Sequence, residues 1–437
     1  MQVLDTLKNA WKLPDLRKKI LFTLMILVVF RIGSVLPVPY IDLDALRASM
    51  ENTASDGTLF EYLSILTGGA LTYGAVFAMS VTPYINSSII MQLLSVAIPA
   101  LGRLSQEGEE GRKKMAKYTR YATVILGLIQ AVAYYFYLRN NDCLKDYSVN
   151  GGAGVFAAFV IILTLTAGSA IMMWLGERID EKGIGNGISM LLFAGIISRG
   201  PDAARALWSA FQLGLDGQTR YLITVPVIII VFLLLIGFIV WVTGAERRIP
   251  VQYAKRVVGR KMYGGQNTYM PIQVNMSGVM PIIFASSILS IPSTITAFMS
   301  DTNSGWYKVL SIFNYQTVMY AVLYFGLIIA FAYFYVTIQY DPVEMANNLR
   351  KNSGAVPGIR PGKPTSDYIK KILTRITLIG ALFLGVIAIL PIIVGSVGQI
   401  SVSLGGTSIL ILVGVALDTV RSLESQMLMR HYKGFLD

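Results

Sequence analysis

Long apolar blocks alternate with short polar ones along the 437-residue chain. Windows of about 20 apolar residues, the length that crosses a hydrocarbon core of about 30 Å, fall at 20–37, 75–98, 119–138, 154–175, 184–198, 221–243, 274–298, 316–338, 374–396 and 405–429. The pattern predicts an all-α polytopic membrane protein with ten spans, the fifth short and the last amphipathic at its end. Two connections are too long to be plain links. Residues 244–273 carry two β-prone runs around a Tyr-Gly-Gly turn signal, which predicts a projecting hairpin. In residues 341–373, Pro357, Pro361 and Pro364 forbid one continuous helix. Counting spans divides the chain into residues 1–200 with five crossings and residues 201–437 with five more. Five is odd, so two similar halves would lie inverted relative to each other.

Charge orients this array. With the N-terminus inside, 29 of the 37 Lys and Arg residues lie on the cytoplasmic side, counting Arg120, Arg375 and Arg421 at the cytoplasmic ends of their windows; 7 lie outside, and Arg31 alone falls deep within a span. The positive-inside rule therefore predicts that both termini face the cytoplasm. The net charge of +12 is mostly this bias and does not by itself imply nucleic-acid binding. Lys12, Arg17, Lys18 and Lys19 precede the first apolar segment, and no small-residue cleavage site follows it, so it reads as a retained span. At 54% hydrophobic and 14% charged, the composition is far from the roughly 25% charge of a soluble domain.

Three segments carry more than a membrane anchor requires. In residues 68–94, "GGALTYGAVFAMSVTPYINSSIIMQLL", Gly68, Gly69 and Gly74 separate a short helix at about 60–74 from the span behind it. Irregular backbone at membrane depth is tolerated only when it is buried in protein or lines an aqueous cavity. Pro83 is placed to kink the span, Asn86 and Ser87 offer polar groups to neighbouring helices, and Ile85 and Ile89 share one helix face. A helix that only packs fits this segment as well. In "WLGERIDEKGIGNGISMLLFAGI", residues 174–196, Gly183, Gly185 and Gly187 permit a close-packed re-entry after a charged turn, and Ile188 and Leu192 again lie four apart. A phosphate loop is disfavoured there, with no preceding strand and no Lys-Ser/Thr pair. The third segment, "VNMSGVMPIIFASSILSIP" at 274–292, is rich in small and helix-loosening residues, which suits either ordinary small-residue packing or helices able to separate.

Catalytic and metal chemistry find little footing. One cysteine, Cys143, leaves no internal disulfide, and one histidine, His431, leaves no multi-histidine metal site. There is no His-Glu-x-x-His, Gly-x-Ser-x-Gly or nucleotide loop, so no enzyme, cofactor or metal is expected. The main rival reading is an ion-coupled secondary transporter of small solutes, which also uses inverted repeats and broken helices. Its coupling sites need carboxylates or histidines at mid-depth, and Asp418 lies near a cytoplasmic end.

The segments "GAVFAMSVTPYINSSIIMQLL", "WLGERIDEKGIGNGIS", "ERRIPVQYAKRVVGRKMYGGQNTYMPIQVNMSGVMPIIFASS" and "PGIRPGKPT" closely resemble the bacterial SecY family, the central subunit of the protein-conducting translocon, from the N-terminal amphipathic segment to "GGTSILILVGVALDT". The resemblance implies a channel in a bacterial plasma membrane that passes unfolded secretory polypeptides. It implies a plug at about 60–74 carrying Leu63, Leu66, Gly68, Gly69, Leu71 and Gly74. It also implies an apolar pore ring at Ile85, Ile89, Ile188, Leu192, Ile283 and Ile411, with Leu192 departing from the usual isoleucine. A lateral gate between the second and seventh spans would release signal and transmembrane helices into lipid. Expected partners are the small subunits SecE and SecG, the motor ATPase SecA, the ribosome, secretory preproteins and nascent membrane proteins. Docking residues carried over are Arg247, Arg248, Lys255, Arg256, Arg260, Lys261 and Arg360.

Overall fold

A computed structural model describes residues 8, 10–54, 67–145, 151–216, 219–253, 256–258, 261–263, 267–298, 305, 310, 313, 317–398 and 406–433. The elements are α1 (Pro14–Gly33), α2 (Leu43–Ala54), α3 (Thr82–Ala97), α4 (Pro99–Gln106), α5 (Glu109–Asn140), α6 (Gly151–Lys182), α7 (Gly187–Ser198), α8 (Gly200–Leu215), α9 (Thr219–Gly244), β1 (Glu246–Tyr253), β2 (Arg256–Val258), β3 (Lys261–Tyr263), β4 (Asn267–Gln273), α10 (Met280–Phe298), α11 (Val318–Gln339), α12 (Pro342–Lys351), β5 (Gly354–Ala355), α13 (Lys363–Gly398) and α14 (Gly406–Lys433). A helix occupies each of the ten apolar windows. Among the described residues, five segments are long and apolar enough to cross a membrane: Glu109–Asn140, Gly151–Lys182, Tyr221–Gly244, Val318–Lys351 and Lys363–Leu390. The chain is a multi-pass helical membrane protein.

Packing divides it into two units. The first comprises Met1–Val225, Ser290–Thr317 and Gly395–Asp437, and the second Pro226–Leu289 and Val318–Val394. In the first unit α5 packs along α3 and α6, while α7 packs against α6, α1 and α14. Its largest apolar cluster joins Val38, Ile41 and Leu46 to Leu71, Ala78 and Met79, to the Tyr134–Leu138 face of α5, and to Ile161 and Leu165 of α6. Cys143 is buried beside this cluster, and burial pushes its thiol up.

Two expectations for the segment before α3 change. Of the short helix expected at about 60–74, residues 60–66 lie outside the described residues, and 67–74 form consecutive turns and not regular helix, because Gly68, Gly69 and Gly74 adopt φ of 66°, 83° and 50°, which right-handed helix excludes. The span predicted from residue 75 becomes helical only at Thr82, so Pro83 sits in the first turn, where its missing N–H has no partner to lose. It starts the helix and does not kink it.

The glycines of the turn from α6 to α7 behave as predicted. Asp180 Oδ1 accepts the Gly187 N–H at 2.6 Å, and Asn186 caps α7 by accepting from the Ser189 N–H at 3.0 Å. From α1, Thr23 Oγ1 accepts the Ile184 N–H at 3.2 Å. Gly187 lies so close to α6 that a Cβ there would collide with the Gly176 carbonyl.

The second unit carries an antiparallel sheet of order β4-β1-β5. Glu246 pairs with Gln273 at one end of β1 and Gln252 with Asn267 at the other, while Gln252 also pairs with Ala355 of β5. The sheet's inner face, Ile249, Val251 and Ile272, packs on Ala346 and Leu349 of α12 and on Ile369, Leu373 and Ile376 of α13. The predicted pair of strands is present: β1 pairs with β4, and between them β2 pairs with β3, Val258 opposite Lys261. Tyr263 of the Tyr-Gly-Gly signal ends β3, and its two glycines lie outside the described residues. Within 341–373 the prolines do exclude one continuous helix, yet Asp341 accepts from the Val343 N–H at 2.8 Å and caps the short α12.

Replacing Gly187 by alanine is expected to destabilise the protein by about 1–3 kcal/mol, the usual cost of overpacking. Gly200→Ala, where an added Cβ meets nothing within 4 Å, serves as the neutral control. Thermal unfolding of the two purified variants in detergent measures the difference.

Candidate functional site

The segments singled out from the sequence occupy two regions, one in each unit. In the first unit, residues 67–81 are held by buried apolar side chains, among them Leu71, Phe77, Ala78 and Met79, and by hydrogen bonds to their backbone. The Val38 N–H donates to the Gly74 carbonyl and the Val76 N–H to the Leu36 carbonyl, both at 2.9 Å, and Ala75 bridges to Pro37. The buried Tyr134 hydroxyl donates to the Leu71 carbonyl at 3.1 Å. Arg31, the basic residue placed deep inside a predicted span, donates from Nη1 to the Gly68 carbonyl at 3.1 Å. Ser198 Oγ, at the end of α7, lies 3.4 Å from the same oxygen. A guanidinium in an apolar helix needs an acceptor, and a carbonyl on a left-handed glycine turn supplies one without a second formal charge.

Of the residues expected in the plug, Gly68, Gly69, Leu71 and Gly74 belong to this turn, with Leu71 buried. Leu63 and Leu66 lie outside the described residues. Of the expected ring residues, Ile89 on α3, Leu192 on α7 and Ile411 on α14 are buried. Ile85 and Ile188 are half-buried, with Ile188 packed over Gly176 of α6. The helices bearing Leu192 and Ile411 pack against each other, and the Thr419 hydroxyl of α14 reaches Met190 Sδ of α7 at 3.5 Å. Ile283, half-buried on α10, belongs to the second unit. Ser87, expected to reach a neighbouring helix, instead donates to the Pro83 carbonyl of its own helix at 2.8 Å, as buried serines in apolar helices often do. Asn86 Oδ1 is buried and has no hydrogen-bond partner among the described residues.

In the second unit the basic residues stand on the sheet and on the loop after it. Arg247 and Arg248 are exposed on β1, and Arg248 Nε donates to Glu246 Oε1 at 2.7 Å. Arg256 and Lys261 lie on β2 and β3, while Lys255 and Arg260 are outside the described residues. Arg360 is exposed in a loop between Gly358 (φ 80°) and Gly362 (φ 108°), and its carbonyl accepts from Thr365 Oγ1 at 2.9 Å. β5 brings this loop's root onto the edge of β1, a link that sequence reading missed. Among the described residues no group of three or more His, Cys, Asp or Glu could hold a metal.

Comparison with known proteins gives this arrangement a class. The fold is that of protein-conducting channels. A structure described as that of a protein conducting channel aligns with a TM-score of 0.65 at 20% identity, covering 94% of this chain and 92% of that one. A SecY structure concerned with the plug domain and the closed state gives 0.67 at the same identity and coverage. Residues 75–420 match the SecY family. Protein translocase subunit SecY of Thermotoga maritima is 46% identical over 98% of this chain and 97% of its own length. The Streptomyces coelicolor protein of the same name is 42% identical over 99% and 100%. The chain belongs to the SecY family.

Because Ile249 is 1% exposed at the centre of the sheet's inner face, Ile249→Ala is expected to cost about 2–5 kcal/mol. Amides of β1 and β4 should then exchange with deuterium faster than in the parent protein, while amides of α5 and α6 should not change.

Proposed function

We infer that this chain is the channel subunit of a bacterial protein translocase, passing unfolded secretory polypeptides through an apolar constriction and releasing hydrophobic helices sideways into lipid. The observation that carries this reading is the end-to-end likeness to proteins named translocase subunit SecY. An ion-coupled transporter finds no support in those relatives. In this reading ten helices span the plasma membrane as two inverted halves, residues 1–200 and 201–437, with both termini cytoplasmic. The ring is Ile85, Ile89, Ile188, Leu192, Ile283 and Ile411, and the plug covers about 60–74.

An aliphatic ring suits the task physically. A neck wide enough for an extended chain leaks ions unless it dewets or closes around its occupant. Branched aliphatic side chains touch any sequence without demanding hydrogen bonds, so the substrate class is broad. Exit into lipid follows partitioning, at about 0.3–0.6 kcal/mol per Leu, Ile, Phe or Val near the bilayer centre. The left-handed glycines Gly68, Gly69 and Gly74 support a plug that hinges, because glycine changes backbone conformation at little steric cost.

The pushing force comes from outside the chain, from SecA or the ribosome docking on the basic hairpin and on Arg360, with SecE and SecG as membrane partners. A canine Sec61 structure that superimposes with a TM-score of 0.60 at 19% identity is described as a ribosome-channel complex. The pairing of β5, at the root of the Arg360 loop, with β1, which bears Arg247 and Arg248, favours a single docking surface.

Three measurements test these assignments. A labelled preprotein should enter vesicles holding the purified protein, its membrane partners, SecA and ATP; no uptake would refute the channel reading. Arg360→Glu is expected to abolish ATP-driven uptake while the protein still inserts into the membrane. Deleting residues 60–74, or replacing Ile89 and Ile411 together by serine, is expected to raise the resting ion conductance of planar bilayers above the parent level.

A further inference from the structure

The helix α8 joins α7 to α9 and was read from the sequence only as part of an outer loop. Most of its side chains sort into three stripes at helical spacing, with exposed Ala206 and Leu213 between the polar stripe and the buried one. Ala203, Leu207, Ala210 and Gly214 are buried or half-buried and face the protein. Asp202, Arg205, Ser209 and Gln212 are exposed and polar, with Arg205 Nη1 3.7 Å from Asp202 Oδ1. The third stripe is Ala204, Trp208, Phe211 and Leu215. It is apolar, and Trp208 and Leu215 are 63% and 65% exposed. The Trp208 and Phe211 rings lie against each other with centroids 6.1 Å apart, which makes one continuous aromatic surface.

Two facts identify what covers this surface. First, α8 is tied to the end of a membrane span. Gly214 lies against the first residues of the apolar segment Tyr221–Gly244, so close that a Cβ on Gly214 would come within 2.9 Å of the Leu222 amide nitrogen. Second, the exposed face of that segment is apolar, as a span facing lipid requires. Ile223 and Val227 are 69% and 50% exposed, and the span is apolar throughout. The aromatic stripe ends at Leu215, a short way before that span begins. Trp and Phe beside a polar stripe suit the zone between headgroups and acyl chains.

We propose that Gly200–Leu215 is an interfacial helix that lies flat in the membrane at the N-terminal end of α9, with Ala204, Trp208, Phe211 and Leu215 inserted about 5–10 Å into the lipid boundary. Its partner is lipid, and Asp202, Arg205, Ser209 and Gln212 face water. In the proposed topology this is the outer leaflet.

The test uses the full chain alone in lipid nanodiscs, so that no other subunit can cover the stripe. Leu215→Cys and Ser209→Cys are each spin-labelled; Cys143 is buried and stays unlabelled. The Leu215→Cys label should be relaxed several-fold more by oxygen, which dissolves in lipid, than by an aqueous nickel chelate, and the Ser209→Cys label should show the reverse. Equal exposure of both labels to nickel overturns the proposal in favour of a helix standing in water. Protection of the Leu215→Cys label from both reagents overturns it in favour of a second copy covering the face. A parallel measurement with native side chains at these positions keeps Trp208 as the only indole, replacing Trp11, Trp174, Trp241 and Trp306 by Phe. Its emission should be quenched by lipids brominated near the headgroup and hardly at all by iodide. Quenching by iodide alone overturns the inference.

Discussion

A polar backbone group inside an apolar chain must find its partner within the protein, since lipid offers none. Regular helices satisfy this rule by themselves. The stretch from residue 67 to residue 81 does not, and the neighbouring elements are arranged to complete it. The segment after α1 supplies the Leu36 carbonyl and the Val38 amide, α5 supplies the Tyr134 hydroxyl, and α1 supplies the Arg31 guanidinium. The broken segment's backbone is completed by groups that come from three directions, each hydrogen bond worth about 0.5–1.5 kcal/mol net, more for the charged one, while its side chains Leu71, Ala78 and Met79 join the unit's apolar core.

The second unit solves a different problem. Loops that project into water normally gain little from packing, yet here β1 and β4 share a sheet with β5 of the loop after α12, and an aliphatic base formed with α12 and α13. Surface charge on a flexible loop is worth little to a binding partner, because ordering it costs entropy. Set on a strand whose inner face is buried, Arg247 and Arg248 are already positioned, and part of that entropy is spent during folding.

How much of this was legible in the sequence differs from feature to feature. The helices were, since runs of about 20 apolar residues are the strongest signal a chain carries, and so were the glycines at 183, 185 and 187, which mark the close approach of α7 to α6. The start of α3 was misplaced, because hydropathy cannot separate turns made of apolar residues from helix; Ser80, at φ 48°, carries no hydrophobic mark. The pairing of β5 with β1 was invisible, as two residues of Gly and Ala have no strand pattern. Arg31 was conspicuous but its partner was not. A backbone carbonyl is present at every position, and only the fold selects Gly68. The site residues that came from resemblance, the ring and the docking positions, could not have been told from packing residues by pattern alone.

The sheet β4-β1-β5 has a mechanical corollary. β1 follows directly from the end of α9, β4 leads into α10, and β5 stands between α12 and α13. Strands bonded edge to edge resist being pulled apart far better than helices resist tilting. A load applied to any strand of this sheet is therefore shared among the helices that its strands join, and the sheet acts as a tie between them.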